Sequence, residues 1–503
     1  MSVSPVAPSG RLGREMRPHW AVVAGFGLLL LALALQMRAT DADFWWHLRT
    51  GQWILEEGRI PRTDPFSYTA YGQPWIAHSW LADIALYLLY RHAPFLLHPL
   101  RALLQVATFG LLLRMAWQRW PRLLPCLGLV LAAFFASAGL WLTRPNSLSL
   151  AFFVGVLYLW HLYKSRGKNR LWLLPPLFAL WANLHSGYIF GLLLLACLWV
   201  GEALAGRFWN DAFPLERRRW WRLGLYLAFS AIAVLLNPYG PALLVYPFRY
   251  FLGGFTLHTH YVGEWLPPNF QEPAGLLFAL LILLLLAGLA WRRVGVAPAE
   301  TLAILGFTLL GLRSVRAVGV AVPLLTYGIT GVLGWGVAAR SGVGRHGAWP
   351  RPSRWGFWLW YGGIGALLLI LLVGIGAEFA AWGSKEGFVS EAGYPQAAVE
   401  YLRKEARGGR LFNSYNWGGY LIWQLKERPV FIDGRADLYG DTLFADYLRV
   451  WHVEPSWAEV LNRWEVEWVL CEKGAPLATL LVSSPSWTVV YEDSTAVLYH
   501  RGP

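Results

Sequence analysis

Up to about residue 378 the chain is a succession of long apolar runs with short polar connections. The runs lie near residues 20–37, 76–97, 99–117, 123–142, 146–163, 171–183, 187–205, 222–237, 273–291, 299–312, 316–336 and 355–378. Many approach the roughly 20 residues that a helix needs to cross a bilayer. The connections alternate in charge. Arg119 to Arg122, Lys164 to Arg170, Arg207 to Arg222, Trp291 to Arg293 and Arg340 to Arg354 are basic and are assigned to the cytoplasm. The stretches 143–146, 183–187, 237–272 and 313–316, and everything after Phe379, then face outward. Arg11, Arg14 and Arg17 keep the tail 1–19 inside, so the first run reads as a retained signal-anchor followed by an outer loop at about 38–78. An inside N-terminus and an outside C-terminus need an odd number of spans. The weakest of the twelve runs is 76–97, which holds Asp83, Arg91, His92 and Pro94 and reads as interfacial or re-entrant. The expectation is a polytopic α-helical membrane protein of about 11–13 spans.

After residue 379 the apolar runs shorten and charges return. Residues 410–413, 429–432, 466–471, 487–491 and 496–500 read as strands, and 395–406 and 441–450 as helices. Strands alternating with helices predict a C-terminal extracytoplasmic α/β domain over 379–503, outside the transmembrane domain 20–378.

Composition supports this class. Of 503 residues 56% are hydrophobic and 15% charged, with a mean hydropathy of +0.39, which excludes an ordinary soluble globule. The net charge of +13 would suit nucleic acid. Its confinement to short loops between apolar runs is instead the positive-inside pattern, so no nucleic acid is expected as a partner. Cys126, Cys197 and Cys471 are too scattered for a disulfide framework or a metal cluster.

Candidate chemistry gathers at the outer ends of the runs. Asp41-Ala42-Asp43-Phe44-Trp45-Trp46-His47 begins four residues after the first run. Two carboxylates and an imidazole at the bilayer edge suit a lipid-borne substrate; the plain alternative is a polar exit loop with aromatic anchors. If the segment is helical, Asp43 and His47 share a face, and Trp46, Trp53 and Ile54 rest in the interface. Asp43 is then the favoured general base toward an acceptor hydroxyl, oriented by His47 one turn on, and Asp41 orients the acceptor or holds a divalent ion such as Mg or Mn. Asp41 and Asp43 are the metal candidates. His78 stands at a second outer edge, as a site group or an anchor. Arg144, Arg313 and Arg316 are candidate phosphate contacts, because guanidinium matches phosphate geometry, or else snorkelling side chains. Asn183 and His185 occupy a tight outer turn, as caps or cavity lining. His258, His260 and Glu264 are spaced unlike a strong zinc pattern, and Glu264 is kept as a substrate-side residue. The segments 413–420 and 433–439 follow strands and read as turns or as a lid.

This arrangement resembles the GT-C superfamily of membrane glycosyltransferases, in particular bacterial relatives of the protein mannosyltransferases and aminoarabinose transferases. The resemblance rests on the overall plan and on Asp41-Ala42-Asp43 with His47, with Asn183-Leu184-His185-Ser186-Gly187, Trp417-Gly418-Gly419-Tyr420 and Asp433-Gly434-Arg435 in support. It implies a polyprenyl-phosphate-linked sugar donor, transfer with inversion on the outer face of a bacterial inner membrane, Asp41 or Asp43 as base, and arginines on the lipid phosphate. The Trp-Trp-His continuation departs from the better-known branches and leaves acceptor and metal open. A lipid-linked glycan polymerase or ligase and a non-catalytic assembly protein are the alternatives. A transporter fits less well, because the polar groups sit at helix ends rather than at mid-span.

Overall fold

The computed structural model describes residues 20–36, 41–208, 215–250, 256–292, 297–340, 393–405 and 408–502. The tail 1–19 and the run at 355–378 fall outside them. Fourteen helices precede residue 341 among the described residues. They are α1 (Trp20–Gln36), α2 (Ala42–Glu57), α3 (Trp80–His92), α4 (Leu97–Arg119), α5 (Leu123–Ala136), α6 (Asn146–Arg166), α7 (Leu174–Leu184), α8 (Tyr188–Phe208), α9 (Arg217–Ala233), α10 (Pro241–Val245), α11 (Thr256–Tyr261), α12 (Pro273–Arg292), α13 (Pro298–Arg313) and α14 (Val315–Arg340).

Five of the helical stretches are long and apolar enough to cross a membrane: Pro94–Arg119, Asn146–Arg166, Tyr188–Ala205, Pro273–Trp291 and Val315–Gly334. Ala21–Gln36, Leu123–Ala136 and Leu171–Leu184 are shorter apolar helices. The protein is therefore multi-pass. The span of α14 is 89% buried and that of α12 only 28%. Both are apolar, so α14 is the bundle's core while Leu276, Leu280, Leu283 and Leu286 of α12 face outward, where lipid makes their exposure costless. At one end of the bundle Arg119 donates to both carboxylate oxygens of Glu300 at 3.0 and 2.7 Å, joining α4 to α13. The run at 76–97 yields only the 13-residue α3, about 20 Å long at 1.5 Å per residue and too short to span.

The region after residue 392 carries α15 (Gln396–Lys404), β1 (Arg410–Asn413), α16 (Tyr415–Gln424), α17 (Ala436–Trp451), α18 (Trp457–Arg463), β2 (Val466–Glu472), α19 (Pro476–Val482), β3 (Trp487–Glu492) and β4 (Ala496–Arg501). The sheet order is β1-β2-β4-β3. β1 runs parallel to β2, and the other two pairings are antiparallel. The expected strand at 429–432 is not one; Val430 forms isolated bridges to Ser67 and Leu411. It thereby stitches the first connecting loop to the sheet.

Helix α2 is where the two parts meet. A surface helix lying in the membrane interface was expected, yet Phe44, Trp45, Trp46, Leu48 and Ile54 are buried in protein. Phe44, Trp45, Trp46 and Leu48 share a core with Leu402, Trp417, Tyr420 and Leu421 of the C-terminal region. Two glycine contacts permit this. A Cβ at Gly51 would overlap the backbone of Asp83 on α3, and one at Gly419 the carbonyl of Ala42. Gly418-Gly419 thus serves helix packing, and the expected loop at 415–420 is the start of α16.

Candidate functional site

Asp41 is the N-cap of α2, with its Oδ1 accepting from the Phe44 N–H at 3.2 Å. Capping starts the helix one residue later, which places Asp43 in the first turn. Asp43 Oδ1 accepts from Trp46 Nε1 at 3.0 Å. The second oxygens of both carboxylates turn to Arg144, just before α6: Asp41 Oδ2 is 2.8 Å from its Nη1, and Asp43 Oδ2 pairs with the same nitrogen. The other guanidinium nitrogen pairs with Glu264. Arg316, at the start of α14, reaches Glu264 at 3.9 Å and lies 5.3 Å over the Trp265 ring. Five charged groups distant in sequence therefore meet where α1 ends. Arg144 is nearly buried, while Asp41, Asp43, Glu264 and Arg316 are each 21–34% exposed at the side chain.

Burial pushes the Asp41 carboxyl up to about 6, with Arg144 pulling it down and Asp43 pushing it further up. A carboxyl held there is largely ionised at neutral pH and still basic enough to take a proton.

The histidines are not where spacing alone would put them. His47 does not orient Asp43. Its Nδ1 lies 2.6 Å from Asp83 Oδ1 on α3, and its ring stacks on Trp46 at 3.6 Å. Ser79 Oγ donates to Asp83 Oδ2 at 3.2 Å. Burial holds His47 down, to about 3, and pushes Asp83 well up. The pair thus shares one proton and has no net charge, as a water-free contact requires. His185 Nδ1 accepts from the Gly187 N–H at 3.1 Å and lies 2.7 Å from Ser149 Oγ, which places the ring proton on Nε2. His78 sits between the rings of His185, 5.7 Å away, and Tyr246, 5.4 Å away. Burial lowers both histidines, so the wall they form is uncharged.

The other expected site groups have surroundings of their own. Arg144 is taken up by carboxylates rather than left free for a phosphate. Asn183 is structural: its Oδ1 accepts from Trp80 Nε1 at 2.9 Å, and its Nδ2 donates to the carbonyls of Ala179 and Leu236. Arg313 ends α13 exposed and makes none of the ion pairs that join Arg144, Glu264 and Arg316 among the described residues. Glu264 pairs with Arg144. Among the described residues no group of three His, Cys, Asp or Glu is arranged to hold a metal ion. A guanidinium stands where three carboxylates converge, so the donor set does not fit a divalent ion.

Sequence reasoning missed a second cluster directly behind the first. Arg435 is wholly buried, with Nη1 2.6 Å from Asp64 Oδ1 and with Nε and Nη2 2.8 and 2.6 Å from the two oxygens of Asp433. Tyr439 donates to Asp433 Oδ2 at 2.6 Å. The guanidinium is flanked by the rings of Phe66 and Trp75. The preceding residue, Gly434, abuts Asp43, where a Cβ would overlap Oδ1. The C-terminal region thus forms part of the wall around the acidic pair. Asp433-Gly434-Arg435 was visible as a motif; Asp64, its partner 371 residues away, carried no signal of its own.

The sequence matches no protein-family model, and no curated protein matches it. Its structure does resemble solved ones. ArnT from Cupriavidus metallidurans bound to undecaprenyl phosphate aligns over 96% of this chain and 98% of its own, at 16% identity and a TM-score of 0.50. The archaeal oligosaccharyltransferase AglB from Archaeoglobus fulgidus, in complex with an inhibitory peptide and a dolichol-phosphate, aligns over 91% and 70%, at 12% identity and a TM-score of 0.56. The arabinofuranosyltransferase AftD from Mycobacteria aligns over 97% and 40%, at 15% identity and a TM-score of 0.52. All are glycosyltransferases of the GT-C superfamily, and this chain resembles them in fold.

Proposed function

We propose that this chain, built on a GT-C fold, is a glycosyltransferase that moves a sugar from a polyprenyl-phosphate donor to an acceptor hydroxyl or amine. The observation that carries the reading is the convergence of Asp41, Asp43, Glu264, Arg144 and Arg316 at the bilayer edge where α1 ends. The pattern of charges along the chain supports an outer-face position for this cluster and for the C-terminal region, and we assign the membrane as a bacterial inner membrane.

Asp41 is the base. It removes the acceptor proton as the acceptor attacks the anomeric carbon from the face opposite the phosphate. The carbon–oxygen bond to the phosphate breaks with inversion, and the polyprenyl phosphate leaves with the electron pair. Arg144 holds Asp41 and Asp43 in register. Arg316, whose guanidinium makes a long contact to Glu264 and lies over the Trp265 ring, takes the departing phosphate, a role that suits a planar fork of donors.

Two measurements test this. Losing one charge-assisted contact costs on the order of 1.5–3 kcal/mol, so Arg316→Ala weakens undecaprenyl-phosphate binding by roughly tenfold or more, whereas Arg313→Ala leaves it unchanged. Equal affinities for both variants and the wild type would remove Arg316 from the phosphate site. Second, because the Arg144 guanidinium occupies the position between the carboxylates that an ion would need, transfer persists in excess EDTA. A rate that collapses and returns with Mg or Mn would put an ion among the carboxylates.

A further inference from the structure

Beside the charged cluster lies a cleft of about 220 Å³ lined by Arg62, Trp75, Tyr239, Tyr246 and Asp437. Three remote segments build it: the first connecting loop, the 237–246 connection and the start of α17. Each is pinned. Trp75 N–H donates to the carbonyl of Arg62 at 2.9 Å, closing the loop like a hairpin. Tyr239 OH donates to Pro61 O at 2.7 Å and accepts from the Ala77 N–H at 3.0 Å. Arg62 donates to Pro238 O at 2.7 Å with its guanidinium 5.6 Å from the Tyr239 ring. Tyr246 donates to Asp437 Oδ2 at 2.7 Å, which leaves Oδ1 free of that bond.

The cleft's inner wall is the wall of the candidate site. The Trp75 ring is 6.5 Å from that of Trp46, whose indole N–H is bonded to Asp43. Tyr246 packs on His78, and Asp437 lies three residues after Gly434, which touches Asp43.

We propose that this cleft binds a saccharide ring of the acceptor. The inference rests on the transferase reading above and adds the acceptor's chemical class. A sugar ring presents C–H faces to aromatic side chains and an edge of hydroxyls that both donate and accept. Tyr239, the partly exposed aromatic of the cleft, supplies an apolar surface above the buried Trp75 and Tyr246, and Asp437 and Arg62 supply an acceptor and a donor, with Tyr239, Tyr246 and Arg62 fixed in advance by their own hydrogen bonds. An acyl chain would strip water from Arg62 and Asp437 with nothing in exchange, which disfavours a lipid occupant. The volume suits one ring rather than an oligosaccharide, so the rest of the acceptor extends into solvent.

The test is saturation-transfer NMR on the full chain in nanodiscs without donor lipid. The probes are methyl β-D-glucopyranoside, methyl β-D-galactopyranoside, methyl α-D-mannopyranoside and N-acetylglucosamine. At least one binds, with a Kd on the order of 1 mM, as expected for a fragment held by a few contacts. Binding falls at least fivefold in both Asp437→Ala and Arg62→Ala, and is retained in Arg316→Ala. If no probe binds, or if binding ignores both cleft variants, the subsite does not exist. Undecaprenyl-phosphate binding, read on the same samples, separates the two ideas. Lipid binding with no saccharide signal sinks the subsite alone, whereas wild-type protein that binds no lipid phosphate sinks the transferase reading.

Discussion

Asp41→Asn abolishes most of the sugar transfer, lowering kcat by roughly 10²–10⁴, the usual worth of general-base assistance. The substitution is clean. Asparagine caps a helix as well as aspartate does, so α2 still starts at Ala42 and only the proton acceptor is lost. Asp43→Asn costs less, because Asp43 is bonded to Trp46 and Arg144 and acts by holding the cluster together. The pH profile gives a second readout. Asp41 works ionised and its carboxyl sits at about 6, so kcat/KM rises through pH 6 and levels off above it. Asp43 is one of the charges that push Asp41 up, so in Asp43→Asn the acid limb moves to lower pH. Full activity in Asp41→Asn, or an acid limb indifferent to Asp43, would take the base role away from Asp41.

Arg435→Ala is the most destabilising single change expected outside the spans. It leaves Asp64 and Asp433 facing each other, both wholly buried, without the guanidinium between them. Breaking a buried pair in this way costs about 3–5 kcal/mol. Arg435→Lys recovers little, since one ammonium cannot reproduce the three-point grip on two carboxylates. The checks are thermal unfolding in nanodiscs and limited proteolysis after residue 393, where the variant is cut faster. Because Gly434 abuts Asp43, transfer falls together with stability. A variant that melts and resists protease like the wild type would mean that water already reaches the pair.

Several features were legible in the order of residues. Among the described residues, apolar runs of spanning length form helices, because a backbone in lipid must bond to itself. Alternating patterns marked β1, β2, β3 and β4, and the position of Asp41 and Asp43 after the first run marked the candidate site. Misreadings came where partners are remote. Residues 429–432 looked like a strand, but Val430 has only single bridges to offer, to Ser67 and Leu411. Trp45 and Trp46 looked like interfacial anchors because nothing local reveals that α16 covers them. The spacing of Asp43 and His47 was compatible with a bond, yet Asp83 approaches closely through Gly51 and takes the imidazole.

The sequence by itself determined the class of protein, the apolar helices and the small C-terminal sheet, since periodicity and charge are properties of neighbours along the chain. Tertiary structure alone decided which charges pair. Arg144 meets Asp41 across 103 positions, and Arg435 meets Asp64 across 371. An ion pair depends on distance in space and on the removal of water, and neither quantity is written in the spacing of residues.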